Sequence, residues 1–464
     1  MKVSAYIIFI ALFIGILTPA LFTDGMFPDG VIYSDVSRNL AEGNGTFWKM
    51  VFSNTLFTNF KEHPPLALYL TSLGFRLFGD SIFVERFYSL LTALITVFLI
   101  VALSKALKNN KPENVSILSL FVWLSFPLVK WTYANNMLEN TMTFFILISS
   151  LFVLKSLKQN RLLFLFLSGI SLFAAFLSKG FPALFIWVMI FFYRLIYKSI
   201  SFKRMLVDTF LLVSFTILPV ILMFIISEEA KDSLFQYFNK QVVGSLENVK
   251  TVNSRFFIVG SMLKEMIIPV IFIVVLTIIA KVKKLRIKFN NTYLKNSLFF
   301  FLIALSGILP MMISLKQRNF YIVPALPFLA ISGGYFLKNL INLFPGFISF
   351  FNKKFFLPLS FGLLVVSIMM IFIFAGKAGR DKELLHDVYN IVNVVPENEN
   401  ILICKTSYSN WSLHAYMQRY GKLSISDKTD SKYFLSENHC FSDTGYQKIN
   451  IDLKHFVLYK KLDK

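Results

Sequence analysis

Apolar residues fall in long runs separated by short polar stretches. The first run covers 3–22. Others lie at about 82–104, 115–130, 141–157, 161–178, 181–197, 206–226, 257–280, 297–314, 320–337 and 355–376. Runs of this kind match the roughly 20 residues needed to cross a hydrocarbon core of about 30 Å. The pattern therefore predicts an all-α polytopic membrane protein with about eleven transmembrane helices. The first run follows Lys2, is longer than a signal-peptide core, and ends on Thr18-Pro19-Ala20-Leu21-Phe22-Thr23-Asp24. It reads as a retained span with its N-terminus in the cytoplasm.

The loop between the first two spans is not simply polar. Tyr33, Val36 and Leu40 share one helical face over 33–42. On that helix Asp35 can pair with Arg38, and Arg38 with Glu42. Pro64-Pro65 opens a second amphipathic helix over 66–78. Both helices are expected to lie in the membrane interface. After the last span the pattern weakens. Residues 377–464 mix short β-like runs at 401–404 and 456–459 with a helical stretch near 381–393. The expected organisation is a transmembrane domain, 1–376, and a small extracytoplasmic α/β domain, 377–464.

Charge fixes the orientation. Of 47 Lys/Arg and 26 Asp/Glu, the tail holds 13 and 11, leaving 34 against 15 for the spans and their loops. With the N-terminus inside, the inner loops carry Lys105, Lys108 and Lys111, then Lys155, Lys158 and Arg161, then Arg194, Lys198, Lys203 and Arg204. The later inner loops carry Lys281, Lys283, Lys284, Arg286, Lys288 and Lys295, then Lys338, Lys353 and Lys354. Glu113 is the only opposing charge in those stretches, as the positive-inside rule requires. The excess of basic residues is thus a topology signal, and no basic fold for nucleic acid stands out. The two cysteines, Cys404 and Cys440, both lie in the tail, where an extracytoplasmic location permits a disulfide; two unpaired thiols are the alternative.

Six acids crowd into the first outer loop: Asp24, Asp29, Asp35, Glu42, Glu62 and Asp80. Asp24, Glu42 and Asp80 read as solvated loop charges. Asp29 differs, standing in a Pro-Asp-Gly turn where a helix begins, so that capping and catalysis compete as explanations. His63 neighbours Glu62, and a divalent metal there is a weak alternative because a site needs three or four ligands. Binding an anionic headgroup or orienting Asp29 suits His63 at least as well. Glu139 opens a span on the outer side, where an acid is costly without a partner. Lys179, Lys316 and Arg318 are outer-side cations against the charge bias. They are either snorkelling anchors or a phosphate site.

Five ordered motifs give these residues a family context. Asp29 to Arg38 carries an acid, Tyr33 and a later arginine. His63-Pro64-Pro65-Leu66 is followed by Phe78-Gly79 and Glu85-Arg86. Glu139, Met142 and Phe145 follow, then Lys179-Gly180-Phe181-Pro182, then Tyr321, Pro324 and Pro327. This set resembles the GT-C class of polyprenyl-phosphate-sugar glycosyltransferases, nearest to the lipid A aminoarabinose transferases and the protein O-mannosyltransferases. The chain departs from the family at Gly30, where relatives often carry a second acid, and at His63, where the aminoarabinose enzymes have lysine.

The resemblance implies that Asp29 is the catalytic acid and Glu139 the second acid. It implies that Tyr33, His63, Lys179, Lys316, Arg318 and Tyr321 bind substrate, with Lys179, Arg318 and Tyr321 contacting a donor lipid phosphate. The expected activity is inverting transfer of one sugar from a polyprenyl-phosphate donor to a lipid, glycan or protein acceptor at the outer face of an inner or plasma membrane. A single carboxylate base suffices for direct displacement, whereas retention needs a second carboxylate as nucleophile. A lipid-linked glycan flippase or transporter is one alternative. It would place ionisable groups at mid-bilayer on broken helices. An envelope polysaccharide polymerase is the other. The tail matches no known pattern.

Overall fold

A computed structural model describes residues 2–107, 114–247, 249–285, 289–344, 355–428, 431–437 and 445–462. The helices are α1 (Lys2–Phe22), α2 (Pro28–Ala41), α3 (Leu66–Phe78), α4 (Val84–Ala106), α5 (Val115–Leu124), α6 (Pro127–Ala134), α7 (Leu138–Ser156) and α8 (Arg161–Lys179). They continue with a 3₁₀ turn Phe181–Val188 running into α9 (Met189–Tyr197), then α10 (Phe202–Ile226), α11 (Glu228–Tyr237) and α12 (Phe257–Val282). The last are α13 (Asn291–Ile308), α14 (Leu326–Ile341), α15 (Phe356–Phe374), α16 (Lys382–Val392) and α17 (Trp411–Gly421).

The protein is a multi-pass membrane protein. Among the described residues nine helical segments are long and apolar enough to cross a bilayer. Helices α5 and α6, bent by 69°, are apolar enough together to make a tenth if the pair is one broken span. The break is where Pro127 opens α6, since proline cannot donate into the preceding helix. The orphaned N–H of Leu128 is met instead by the buried carboxylate of Glu265 on α12, at 2.9 Å. The eleventh expected segment, Phe181–Tyr197, is shorter than the others. Its 3₁₀ start of 8 residues rises faster per residue than an α-helix, so with the 9 residues of α9 it still reaches about 30 Å. Helices α7 and α8 pack closely, as do α8 and α10, and α1 lies along α15. At Gly169 the Cβ of Phe215 comes within 2.4 Å of where a methyl would stand, so the α8–α10 approach depends on glycine.

Charges separate along the bundle. Lys105, Lys155, Arg194, Lys281 and Lys338 end their helices at one end. Asp208, an acid at that end, is fully buried between Arg161 and Arg204. Lys108, Lys111, Glu113, Arg286, Lys288, Lys353, Lys354 and Cys440 lie outside the described residues; Cys404 is disulfide-bonded.

The other end carries α2, α3 and the C-terminal elements. The tail forms a five-stranded sheet of β1 (Asn400–Ile403), β2 (Ser424–Ser426), β3 (Tyr433–Glu437), β4 (Tyr446–Lys448) and β5 (Phe456–Lys461), in the order β2-β1-β3-β5-β4. β1 runs parallel to β2 and β3, while β5 runs antiparallel to β3 and β4. Helix α17 packs on α2, and a single apolar core joins Val31, Val36 and Leu40 to Leu413, Tyr416 and Met417.

This packing corrects the expectation for α2. It does not lie half-exposed in an interface: eleven of its residues, Gly30 to Leu40, are buried, including Ser34, Asp35, Arg38 and Asn39. The face that reads as polar is covered by the tail. Arg38 and Asp35 approach to 3.5 Å as expected, but Glu42 pairs with Lys422 instead of Arg38. Helix α3 keeps an exposed apolar surface at Leu77 and Phe78, which suits contact with lipid.

Candidate active site

The predicted residues converge at the end of the bundle beneath the tail. Asp29 occupies the first turn of α2 behind Pro28, where the helix dipole favours a carboxylate. The α6–α7 turn clamps this start. Asn135 Oδ1 accepts the Phe27 N–H at 2.6 Å, and Asn136 Nδ2 donates to Ser34 Oγ at 3.3 Å. Gly30 lies so close that an added Cβ would stand 1.9 Å from the Asn135 carbonyl oxygen. That contact excludes any side chain, and so any second acid, at position 30. Gly30→Ala is expected to lower the melting temperature of the detergent-purified protein. Overpacking costs about 1–3 kcal/mol and outweighs the ~1 kcal/mol helix gain of alanine.

The remaining groups surround a cavity of about 470 Å³ lined by His63, Glu139, Lys179, Tyr237, Lys316 and Tyr321, with Phe181, Phe185, Pro310 and Ile313 forming much of its apolar wall. Lys179, the last residue of α8, forms a buried ion pair with Glu139 at the start of α7. Its ammonium also stands over the rings of Phe320 and Tyr321, at 5.5 and 5.9 Å. The second oxygen of Glu139 is buried without a protein partner. Gly180 makes this corner: it has φ +100°, and a Cβ there would lie 1.8 Å from the Tyr237 hydroxyl. That hydroxyl donates to the Lys179 carbonyl at 3.1 Å. The Lys-Gly-x-Pro sequence is thus a strained turn that admits Tyr237.

Lys316 is half-buried and donates to Gln241 Oε1 at 2.7 Å, while Gln241 Nε2 donates to Glu62 at 2.5 Å. Arg318 is exposed, and its charge acts on Asp29. The loop carrying both cations is fixed by Gln317, whose side chain accepts from Ile258 N at 2.9 Å and donates to Ser314 O at 2.7 Å. Burial raises the Asp29 pKa above the ordinary carboxylate value, and Lys179 and Arg318 oppose the rise without cancelling it. Burial also holds His63 well below its usual value, helped by Lys179 and Lys316. The neutral imidazole meets Tyr33 Oη at 3.0 Å through Nε2, and its Nδ1 is buried with no protein partner. Where Nε2 accepts from Tyr33, Nδ1–H is left to donate to a ligand.

No group of three or more His, Cys, Asp or Glu close enough to hold a metal occurs among the described residues. Glu62 faces Lys240, at 3.3 Å, and Gln241. Gln241, Tyr237, Gln317 and Asn135 carry no signal in the sequence. They are ordinary polar residues on a helix and in turns, and only the fold brings them to the site.

An acid at a helix start, a buried Lys–Glu pair and an amphipathic cavity thus lie together beneath an α/β cap, and the fold that holds them is similar to that of solved GT-C glycosyltransferases. The family model described as dolichyl-phosphate-mannose-protein mannosyltransferase matches residues 62–225. An undecaprenyl phosphate-alpha-4-amino-4-deoxy-L-arabinose arabinosyl transferase of Wigglesworthia glossinidia brevipalpis is 28% identical over 198 residues, 42% of this chain and 34% of its own length. A second such transferase, from Proteus mirabilis, is 26% identical over 184 residues, 39% of this chain and 32% of its own. The matched part thus spans about a third of these curated relatives. The fold is similar over nearly the whole chain to ArnT from Cupriavidus metallidurans, solved bound to undecaprenyl phosphate. That match has a TM-score of 0.65 at 14% identity and covers 98% of this chain and 96% of that one. The archaeal oligosaccharyltransferase AglB from Archaeoglobus fulgidus matches with a TM-score of 0.51 at 12% identity, covering 94% and 69%.

Proposed function

We propose that the protein is a membrane glycosyltransferase that moves one sugar, with inversion, from a polyprenyl-phosphate donor to an acceptor hydroxyl on a lipid, glycan or protein. The observation that carries this reading is the cavity: an apolar wall for an isoprenoid chain, with Lys179 and Lys316 on its lining and Arg318 nearby, beside the carboxylate of Asp29. Asp29 takes the proton of the acceptor hydroxyl as its oxygen attacks the anomeric carbon, and the bond from that carbon to the phosphate oxygen breaks. Lys179, Lys316 and Arg318 balance the charge gathering on the departing phosphate, with Tyr321 and His63 as hydrogen-bond donors. Tyr33 orients His63. Glu139, the second acid, holds Lys179 in place and presents its free oxygen to the cavity.

The basic ends of the helices support placing the opposite end, with the site and residues 377–464, at the extracytoplasmic face of an inner or plasma membrane. The division at 376 then separates the bundle from its cap. The test is transfer of labelled sugar from a polyprenyl-phosphate donor by membranes containing the protein, with a topology reporter fused after Lys464. Transfer above control membranes and an extracytoplasmic reporter are expected. No transfer from any such donor, or a cytoplasmic reporter, overturns the reading.

A further inference from the structure

The acids of the first loop that read as solvated charges are gripped by the tail. Helix α17 presents Tyr416, Arg419 and Tyr420, at i, i+3 and i+4, to the first outer loop and the start of α4, the tyrosines to residues 24–26 and the arginine to residues 80–85. Tyr416 Oη accepts from Met26 N at 3.2 Å and donates to Met26 O at 2.8 Å, three residues before Asp29. Tyr420 Oη donates to Asp24 at 2.7 Å. Between them Arg419, 4% exposed, donates to both oxygens of Glu85 at 3.2 Å, to Asp80 at 2.6 Å and to the Ser81 carbonyl at 3.0 Å. The backbone at this point holds α2: Arg38 Nη1 donates to the carbonyls of Gln418 and Arg419, at 3.1 and 3.0 Å.

Two guanidiniums, Arg38 and Arg419, thus lie among three carboxylates: Asp35, Asp80 and Glu85. Asp35 is fully buried, and neither of its oxygens accepts a hydrogen bond. Burial drives its pKa well up, against the pull of Arg38 and Arg419. With the Arg38 and Arg419 guanidiniums each held by several hydrogen bonds, the cluster suits a fixed joint better than a loose docking contact.

We infer that Arg419 is a positioning residue for Asp29, acting through the Arg38 clamp on α2, so that the C-terminal unit is a working part of the active site. The inference rests on the reading of Asp29 as the base. The leverage is geometric. Arg38 lies nine residues along α2 from Asp29, about 14 Å at helical rise. A tilt of about 5° at the clamp moves the carboxylate by about 1 Å, and a 1 Å misplacement in a reacting group can cost about 10²-fold in rate.

The experiment uses Arg419→Met and Arg419→Lys in the full chain, in detergent. Three readouts are taken: kcat and donor KM with a polyprenyl-phosphate sugar, affinity for polyprenyl phosphate, and hydrogen exchange of peptides covering 28–41. Arg419→Met is expected to lower kcat by about 10²-fold. Donor KM and lipid-phosphate affinity should stay within about twofold, and α2 exchange should rise tenfold or more. Arg419→Lys, which keeps the charge but loses the fork, should fall between. Unchanged kcat, unchanged α2 exchange, or a loss of donor affinity equal to the loss of rate overturns the proposal. If Arg419→Met does not fold, the lysine variant decides by the same criteria. If the wild type transfers no sugar, the reading of Asp29 fails; the exchange arm still decides whether Arg419 holds α2.

Discussion

Asp29→Asn should lower sugar transfer by about 10²–10⁴-fold, the range for loss of a general base, while donor-lipid affinity stays near wild type. The substitution keeps the shape of the side chain and removes only its ability to take a proton. Its effect on stability should run the other way. The folded-state pKa of Asp29 is raised by burial, so the ionised form weakens the folded state as pH rises through that value. At neutral pH the neutral amide is therefore expected to melt no lower than wild type. The same shift sets the pH dependence: protonated Asp29 is inactive, so wild-type activity rises with pH through a pKa above the ordinary carboxylate range. That acid limb should be absent from the residual activity of Asp29→Asn. An inactive variant that also unfolds, or a variant with normal turnover, removes Asp29 from this role.

Lys179→Met is the second large effect. Lys179 and Glu139 are both buried, and removing one partner of such a pair leaves the other uncompensated, at about 3–5 kcal/mol. The variant should be less stable, and transfer should fall by at least about 10²-fold if Lys179 is, as proposed, a cation for the donor phosphate. Adding Glu139→Gln separates the two causes. The double variant no longer buries a lone charge, so its melting temperature should recover toward wild type. Its activity should not recover, because no cation has been restored. Recovery of both would make the pair purely structural.

The spans were legible because each is a local property of about 20 residues, and the charge alternation checks them independently. The bend at Ser125 to Pro127 was less so: one proline does not tell how far a helix turns or that Glu265, far away in the chain, will cap it. The candidate residues Asp29, His63, Glu139, Lys179 and Tyr321 stand out in the sequence as ordered motifs, and the structure brings them around one cavity or beside it. What the sequence hid is the partnering. Asp24, Glu42 and Asp80 resemble solvated acids because their partners lie in the last 90 residues, beyond the reach of any periodicity. For the same reason α2 reads as amphipathic although it is buried on all sides. Gly30 is visible as a missing acid, but only the Asn135 carbonyl shows why no acid fits.

The ends of the chain also meet. Asp24 N donates to the Lys377 carbonyl at 2.9 Å, α1 packs along α15, and Arg38 waits for carbonyls 380 and 381 residues downstream. At the usual translation rate of about 5–20 residues per second, that separation corresponds to roughly 20–80 s between synthesis of the aspartate helix and arrival of its clamp. During that interval the nascent chain holds Asp29 without its upper support. On the role inferred for Arg419, a chain stalled before residue 419 is expected to present Asp29 without that clamp and to transfer no sugar.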